Sequence, residues 1–516
     1  MINILWADDE INLLKPHIIY LEDKGYNVIS AKSGDEALEL LSSNNFDLIF
    51  LDENMPGISG LETLNIIKEK YRHVPVIMIT KSEEESIMEE AIGAKISDYL
   101  IKPVNPSQIL LAIKKNLDIN RLVDEKTIKN YQQEFSKISS SLSTISSFEE
   151  WCDIYKKLTY WDLEIDYSAE KSIEQILEMQ KDDANKQFFK FVKNNYKNWL
   201  YDDDPLLSHK IIEKKVVPIL NNNIPTYFVL IDNLRYDQWK ILEQDIISDF
   251  KIISDDMYTS ILPTSTQYSR NSIFSGLLPL DIQKKYPHLW KNDQDDGGKN
   301  LFEKDLLLHN LSRLGKDTSK ISYTKITNID YGRKFINKIS NLKHNLLNVI
   351  VYNFVDMLSH ARTDMKVIKE LADDDSAYRS LTRSWYSHSP LKEIINEISK
   401  QKANLVITTD HGTINVDKPS KVIGDRNVND NLRYKQGKNL KFSSSDVFEI
   451  KNPKEYFLPI QNVSSKYIFA KEKIYFVYQN NYNQFVKYYK NTYQHGGISM
   501  EEMLLPFIIL KTKANG

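Results

Sequence analysis

Cysteine is almost absent from this chain of 516 residues, with Cys152 the sole example. One thiol excludes an intramolecular disulfide and fits a reducing compartment. Beside Trp151 it reads as a packed thiol rather than a nucleophile. Long hydrophobic runs are missing too. The longest late stretch, "LLPFIIL" at 504–510, is strand-sized and far short of the ~20 residues of a membrane span. The start, "MINILWADDE", has acids where a signal peptide would need a basic opening and a long apolar run. These absences predict a cytoplasmic protein without membrane insertion. Excess charge of either sign is also lacking: 67 Lys and Arg face 71 Asp and Glu, net −4. That excludes a globally basic nucleic-acid binder while leaving room for a local basic surface. No internal repeat, helix-turn-helix or zinc-finger pattern is present. The length exceeds one hydrophobic core, so the chain must hold several domains.

What is present falls into three textures. Residues 1–118 alternate short apolar strands with amphipathic helices, with strands predicted at 2–7, 26–30, 46–51, 74–79 and 98–101. Repeated strand–helix units imply a doubly wound parallel sheet covered on both faces. From 119 to 213 glycine and strand runs nearly vanish, and Leu and Ile recur at helical spacing among Lys, Glu and Ser. This predicts a central helical bundle, with the serine-rich 136–151 holding a connection between two helices. Such a bundle serves either as a spacer or as a regulated hinge. From 214 to 516 the alternation returns, with strands predicted at 226–232, 347–356, 404–410 and 503–510, separated by long polar insertions. The predicted class is α/β throughout, with the helical segment in the middle.

The first domain gathers polar residues at successive strand ends: Asp8 and Asp9 in "WADDE", Asp52 in "FLDENMPGISG", Thr80 in "MIT" and Lys102 in "YLIKP". Converging carboxylates make a hard oxygen site suited to Mg²⁺. A carboxylate beside such an ion can attack a phosphoryl group while a lysine neutralises charge. Acids also simply favour helix N-termini, but that does not explain five residues at successive strand ends. Residues 1–118 resemble the receiver domain of two-component response regulators, on the paired acids, on Asp52, Pro56 and Gly60, and on Thr80 with Lys102-Pro103. The resemblance implies Asp52 as phosphoacceptor and Mg²⁺ held by Asp8, Asp9, Asp52 and the Asn54 carbonyl. It further implies Thr80, Tyr99 and Lys102 as switch residues and a sensor histidine kinase as phosphodonor. Lys81 departs from the pattern, since receivers keep a small residue after the threonine.

The last domain has a second convergence. "TYFVLID" ends at Asp232, and "LPTSTQYSRNSIFSG" offers hydroxyls before a helix expected to run to Gly276. "YNFVDMLSH" places Asp356 and His360 at i, i+4, "TTDHG" supplies Asp410 and His411, and "YQHGG" supplies His495. A lone Asp-His pair is often just a turn; together these are six ligands of the kind a two-zinc hydrolytic site uses. The ordered series resembles the alkaline phosphatase superfamily, specifically its PglZ-type branch, over 214–516. That resemblance implies two Zn²⁺ ions, one held by Asp232, Asp410, His411 and the nucleophile, the other by Asp356, His360 and His495. Thr264, Ser265 and Thr266 are adjacent candidates for the nucleophile. In superfamily members with a threonine nucleophile it opens the helix leading to the glycine, which selects Thr266.

Between His411 and His495 lies a cationic stretch, 425–446, with Arg426, Arg433, Lys435, Lys438 and Lys441 interleaved by Tyr434 and Phe442. It reads either as a solvated loop or as a lid over a phosphodiester, with cations on phosphates and aromatics on bases. Arg235 and Arg270 are further phosphate candidates. The order of domains resembles response regulators tied to type IX secretion and gliding in Bacteroidota. That implies a phosphorylation-controlled zinc phosphodiesterase acting on oligonucleotides, with homodimerisation on phosphorylation. The competing class is a signalling scaffold whose metal domain binds a sigma factor or secretion component.

Overall fold

In the computed structural model the chain divides into two compact units, Met1–Gln132 and Gln133–Gly516. The structure describes residues 2–71, 74–81, 96–166, 171–353, 355, 374–424, 429–460 and 464–513.

The first unit is built on five strands, β1 (Ile2–Ala7), β2 (Tyr26–Ala31), β3 (Leu48–Asp52), β4 (Val76–Thr80) and β5 (Asp98–Ile101). They lie in the order β2-β1-β3-β4-β5, every pairing parallel. Strands such as "LIFLD" and "VIMIT" are buried along their whole length because helices cover both faces of a parallel sheet. Leu5, Ile49, Leu51 and Met78 pack to one side, Trp6, Phe50, Ile77 and Ile79 to the other. The strand order reverses between β1 and β3, and ligands of open α/β sheets collect at the carboxyl ends beside such a switch point. Asp8 follows β1 and Asp52 closes β3, so the two acids flank that crevice.

In the second unit, helix Phe148–Ile165 opens with a reciprocal Ser147–Glu150 capping box. Helix Lys171–Trp199 runs unbroken for 29 residues. The two pack through Trp151 against Phe188, edge to face. Cys152 is buried, and burial pushes its thiol pKa far up, which leaves it an inert core residue.

The remaining strands are β6 (Thr226–Ile231), β7 (Phe250–Thr259), β8 (Ile321–Ile326), β9 (Leu347–Tyr352), β10 (Asn404–Thr408), β11 (Ile414–Val416), β12 (Lys418–Val422), β13 (Tyr434–Gly437), β14 (Val447–Ile450), β15 (Lys466–Ala470), β16 (Ile474–Tyr478), β17 (Thr492–Gln494) and β18 (Leu504–Thr512). Six form the main sheet in the order β7-β18-β10-β6-β9-β8. Strands β10, β6, β9 and β8 run parallel, while β18 is antiparallel to both neighbours. Central β6 and β9 are buried at every position, as near-continuous apolar runs in a two-sided sheet should be. Because β6 and β10 are adjacent and parallel, Asp232 and Asp410 emerge side by side at one end of the sheet. A two-stranded ribbon, β11 with β17, joins the segments after His411 and before His495. The segment expected to be loop or lid instead supplies β13, paired with β15 in a three-stranded sheet.

Candidate functional site

In the first unit, Lys102 Nζ stands 2.7 Å from Asp8 Oδ2 and 3.1 Å from Asp52 Oδ1. Carboxylate oxygens of Asp8, Asp9 and Asp52 lie within 4.8 Å of one another. Asp52 is 3 % exposed. Burial raises its carboxyl to about 6, Lys102 opposing the rise and Asp8 adding to it. Three acids against one ammonium leave a surplus of negative charge that a hard divalent cation would offset, so the residues fit Mg²⁺. Thr80 is buried at the end of β4, Tyr99 is half-buried on β5, and Asn54 sits in the exposed turn after β3. Gly60 has no room for a Cβ, which would strike the Asp52 carbonyl oxygen and the Glu53 backbone. Lys81 turns outward and pairs with Glu10 at 2.6 Å.

The second site is assembled around the start of helix Thr266–Ser275, which closes on Gly276 in the left-handed region. Ser265 is its N-cap but makes no side-chain cap hydrogen bond. The first backbone N–H groups and the helix dipole therefore face the site without competition from that hydroxyl. Thr266 Oγ1 lies 3.0 Å from His411 Nε2. His411 Nδ1 is 3.1 Å from the Gly412 carbonyl oxygen. A carbonyl only accepts, so Nδ1 carries the proton and Nε2 the lone pair that receives the Thr266 hydroxyl. The His495 ring stacks on His411 with centroids 4.1 Å apart, and its Nδ1 donates to the Thr264 carbonyl oxygen over 3.2 Å. Both rings are thus fixed in the tautomer that presents Nε2 as a donor of electrons. Thr264 Oγ1 is occupied elsewhere, donating to Gly497 and accepting from Gly496 N–H.

Asp232, Asp410 and His411 offer ligand atoms within 4.8 Å of one another, and all three are fully buried. Asp232 Oδ1 faces the Arg270 guanidinium. Burial raises the Asp232 carboxyl pKa, with Arg270 pulling down and Asp410 pushing up. Two carboxylates, an imidazole lone pair and a hydroxyl form a borderline-hard N/O donor set, so these residues fit a catalytic zinc-type ion. Asp356 and His360 lie outside the described residues.

The cationic candidates are placed differently from expectation. Arg270, one helical turn beyond Thr266, is fully buried against the aspartates. Its Nη2 contacts Asp232 Oδ1 and lies 2.9 Å from Asp410 Oδ2, and Nη1 reaches Glu303 at 3.5 Å. The guanidinium is consumed in orienting carboxylates rather than presented to phosphate. Arg235 is likewise buried and spent on Asp237 and Asp375. Arg433 is 0 % exposed and paired at two points with Glu502. Lys435 is buried on β13, donating to the Asn429 carbonyl at 2.7 Å with its ammonium 4.4 Å from the Tyr478 ring centroid. Lys438 and Lys441 are exposed. The lid reading therefore fails for Arg433 and Lys435: Lys435 lies on β13, buried at all four positions, and Arg433, just before it, is buried against Glu502. Arg426 lies outside the described residues. Glu303, buried and holding Arg270 and Lys325, was not singled out from sequence, since an isolated acid at a helix start carries no distinguishing signal.

A cavity of about 410 Å³ lies between the two linker helices and the sheet domain, lined by Asp162, Lys181, Arg235, Asp375 and Glu501 among others. Neither Thr266 nor the three ligand candidates lines it.

One chain thus carries two sheets, each with a cluster of acids at the carboxyl ends of its strands. Residues 211–510, more than half of the chain, match the BREX system PglZ alkaline phosphatase-like domain, and the chain belongs to that family. Residues 121–200 match the PorX response regulator linker domain and residues 4–114 the response regulator receiver domain, so the architecture is that of a PorX-type response regulator. Over 111 residues the chain is 38 % identical to the transcriptional regulatory protein ResD of Bacillus subtilis, covering 22 % of this chain and 46 % of that protein. Over 119 residues it is 36 % identical to the alginate biosynthesis transcriptional regulatory protein AlgB of Pseudomonas putida, covering 23 % and 27 %. The chain thus spans less than half the length of these curated relatives. A CheY-like receiver domain protein from Methanospirillum hungatei JF-1 is 30 % identical, covering 23 % of this chain and 94 % of that one, with a TM-score of 0.23. No helix among the described residues is long and apolar enough to cross a membrane.

Proposed function

We propose that this response regulator, phosphorylated on Asp52, controls a zinc-dependent phosphodiesterase in its PglZ-type domain. The observation that carries the reading is the 3.0 Å contact of Thr266 Oγ1 with His411 Nε2, at a helix N-terminus beside Asp232 and Asp410. Asp232, Asp410, His411 and Thr266 would hold one Zn²⁺, and Asp356, His360 and His495 the other. Bound ions supply Lewis acidity, lowering the hydroxyl pKa and offsetting charge on the phosphoryl oxygens. The protein's part is to aim Thr266 Oγ1. The helix N-terminus receives the anion, and Arg270 keeps both aspartates in register. Oγ1 bonds to phosphorus as its proton leaves to water, and the ester oxygen departs with a proton from water. A second water then cleaves the phosphothreonine and restores the hydroxyl.

In the receiver, Asp52 would take its phosphoryl group from a sensor histidine kinase, with Mg²⁺ on Asp8, Asp9, Asp52 and the Asn54 carbonyl. An oligonucleotide is the proposed substrate, and type IX secretion and gliding the proposed pathway. Metal analysis of the purified protein, with hydrolysis of bis-p-nitrophenyl phosphate by wild type and Thr266→Ala, tests the reading. Absence of both metal and hydrolysis would leave the domain as a binding module for a sigma factor or secretion component.

A further inference from the structure

Both histidine turns of the candidate metal centre rest on one short helix, Met500–Met503. Glu502 accepts from Gly497 N–H at 2.8 Å through Oε1, and its backbone carbonyl accepts from Gly412 N–H at 3.3 Å. Gly412 follows His411, and Gly497 stands two residues after His495. Gly412 fits closely against the helix, and Gly497 is crowded by its other neighbours. A Cβ at Gly412 would overlap the Glu501 carbonyl oxygen, and one at Gly497 would meet Ala470 O at 2.6 Å and Arg433 Nη2 at 2.8 Å. Displacing this helix must therefore displace the peptides that carry both rings.

The helix is held from outside the sheet domain. Asn185, in the middle of linker helix Lys171–Trp199, is 2 % exposed. Its Oδ1 accepts from Met500 N–H at 2.8 Å, satisfying a buried donor at the start of the short helix. Its Nδ2 donates to both carboxylate oxygens of Glu501, at 3.2 and 3.0 Å. One amide thus uses its acceptor and its donor on successive residues, and a hydrophobic contact could not do either.

We infer that Asn185 is a positioning residue for the histidine turns, which makes the linker helix a working part of the metal centre rather than a spacer. This rests on the phosphodiesterase reading for its catalytic consequence but not for its structural one. Any rotation or slide of the linker helix would reach His411 and His495 through Asn185, Glu501 and Glu502.

The test uses the full chain carrying Asn185→Ala, Asn185→Asp, or Asn185→Asp with Glu501→Gln. Hydrogen–deuterium exchange is read at 410–414 and 495–500, where it needs neither metal nor turnover. Asn185→Ala is expected to speed exchange several-fold at both turns while the β6 and β9 amides stay protected. It should lower kcat on bis-p-nitrophenyl phosphate by about tenfold or more with KM little changed, as loss of a group that orients metal ligands does. Asn185→Asp, setting a carboxylate against Glu501, should be as poor. The double variant restores a donor opposite an acceptor, now from Gln at 501 to Asp at 185, and should recover wild-type exchange and most of kcat. Wild-type exchange at both turns in Asn185→Ala would overturn the inference, as would a double variant no better than Asn185→Asp. A wild type without metal or hydrolysis would sink the phosphodiesterase reading alone, since the exchange result stands separately.

Discussion

Arg433 and Glu502 form a two-point ion pair shut away from water: Nε to Oε1 at 3.1 Å and Nη2 to Oε2 at 2.6 Å, with both side chains 0 % exposed. Arg433 Nη1 also donates to the Ile474 carbonyl, tying the segment that enters β13 to β16. Removing one member of such a pair strands the other's charge, a cost of about 3–5 kcal/mol. Arg433→Met is therefore expected to lower the unfolding free energy by about that amount in urea titration. It should not act as a selective rise in KM for oligonucleotides. A stable variant with a raised oligonucleotide KM would return Arg433 to substrate binding.

Thr266 and Thr264 differ in what their hydroxyls touch, and mutation should separate them. Thr266→Ala is expected to lower diester kcat by at least about a hundredfold with thermal unfolding unchanged, because it removes the attacking oxygen. Thr264→Val removes the acceptor for Gly496 N–H and the donor to Gly497. It should reduce stability by about 1–3 kcal/mol through the unpaired buried amide. Equal kcat losses in the two variants, with equal stabilities, would contradict the assignment of Thr266.

The strands that carry the sites were legible because they are predominantly apolar. "TYFVLI", "LNVIVY" and "NLVIT" sit in the middle of the main sheet, where the few polar side chains, such as Asn348 and Thr408, are buried and hydrogen-bonded. Edge strands escaped notice for the converse reason. In "FKIISDDMYT", β7 is the edge strand beside β18 and leaves several positions part-exposed, so Lys251 and Asp255 break the apolar run. Asp8, Asp52, Asp232 and Asp410 could be placed from their positions at strand ends, since adjacent parallel strands bring such ends together. The cations could not. Whether an arginine faces a phosphate or a carboxylate depends on partners far away in sequence: Asp410 is 140 residues from Arg270, and Glu502 is 69 from Arg433.

Asp52 is the buried acid paired with Lys102, and phosphorylation there should require Mg²⁺. Acetyl phosphate is expected to label wild type and not Asp52→Ala, with labelling lost in excess EDTA; intact mass measures both. Beryllofluoride should shift the wild type from monomer to dimer in sedimentation, at concentrations spanning the dissociation constant. Coupling of this kind is typically about 1–3 kcal/mol, so a several-fold change in dimer affinity is the expected size. An unchanged mass distribution with Asp52 modified would assign regulation to a route within one chain.

Lys435 supplies a pH test of the same correction that removed Arg433 from the substrate site. Burial pulls its ammonium down to about 7, and Asp430 only partly opposes this. In the unfolded chain the group titrates near its ordinary value of 10.5. Between those values the unfolded chain holds a proton that the folded chain has shed, so unfolding takes up protons and stability rises with pH. Below about 7 both states are protonated, and the fold bears the full cost of a buried charge, eased by the Asn429 carbonyl and the Tyr478 ring. Lys435→Met should accordingly stabilise the protein at pH 7. The difference between wild type and variant should shrink toward pH 10, at up to about 1.4 kcal/mol per pH unit in the middle of the interval. Urea titrations of both proteins at pH 6, 7, 8, 9 and 10 would measure it. A constant difference across that range, or a variant less stable at pH 7, would show that the ammonium is held charged by partners stronger than these.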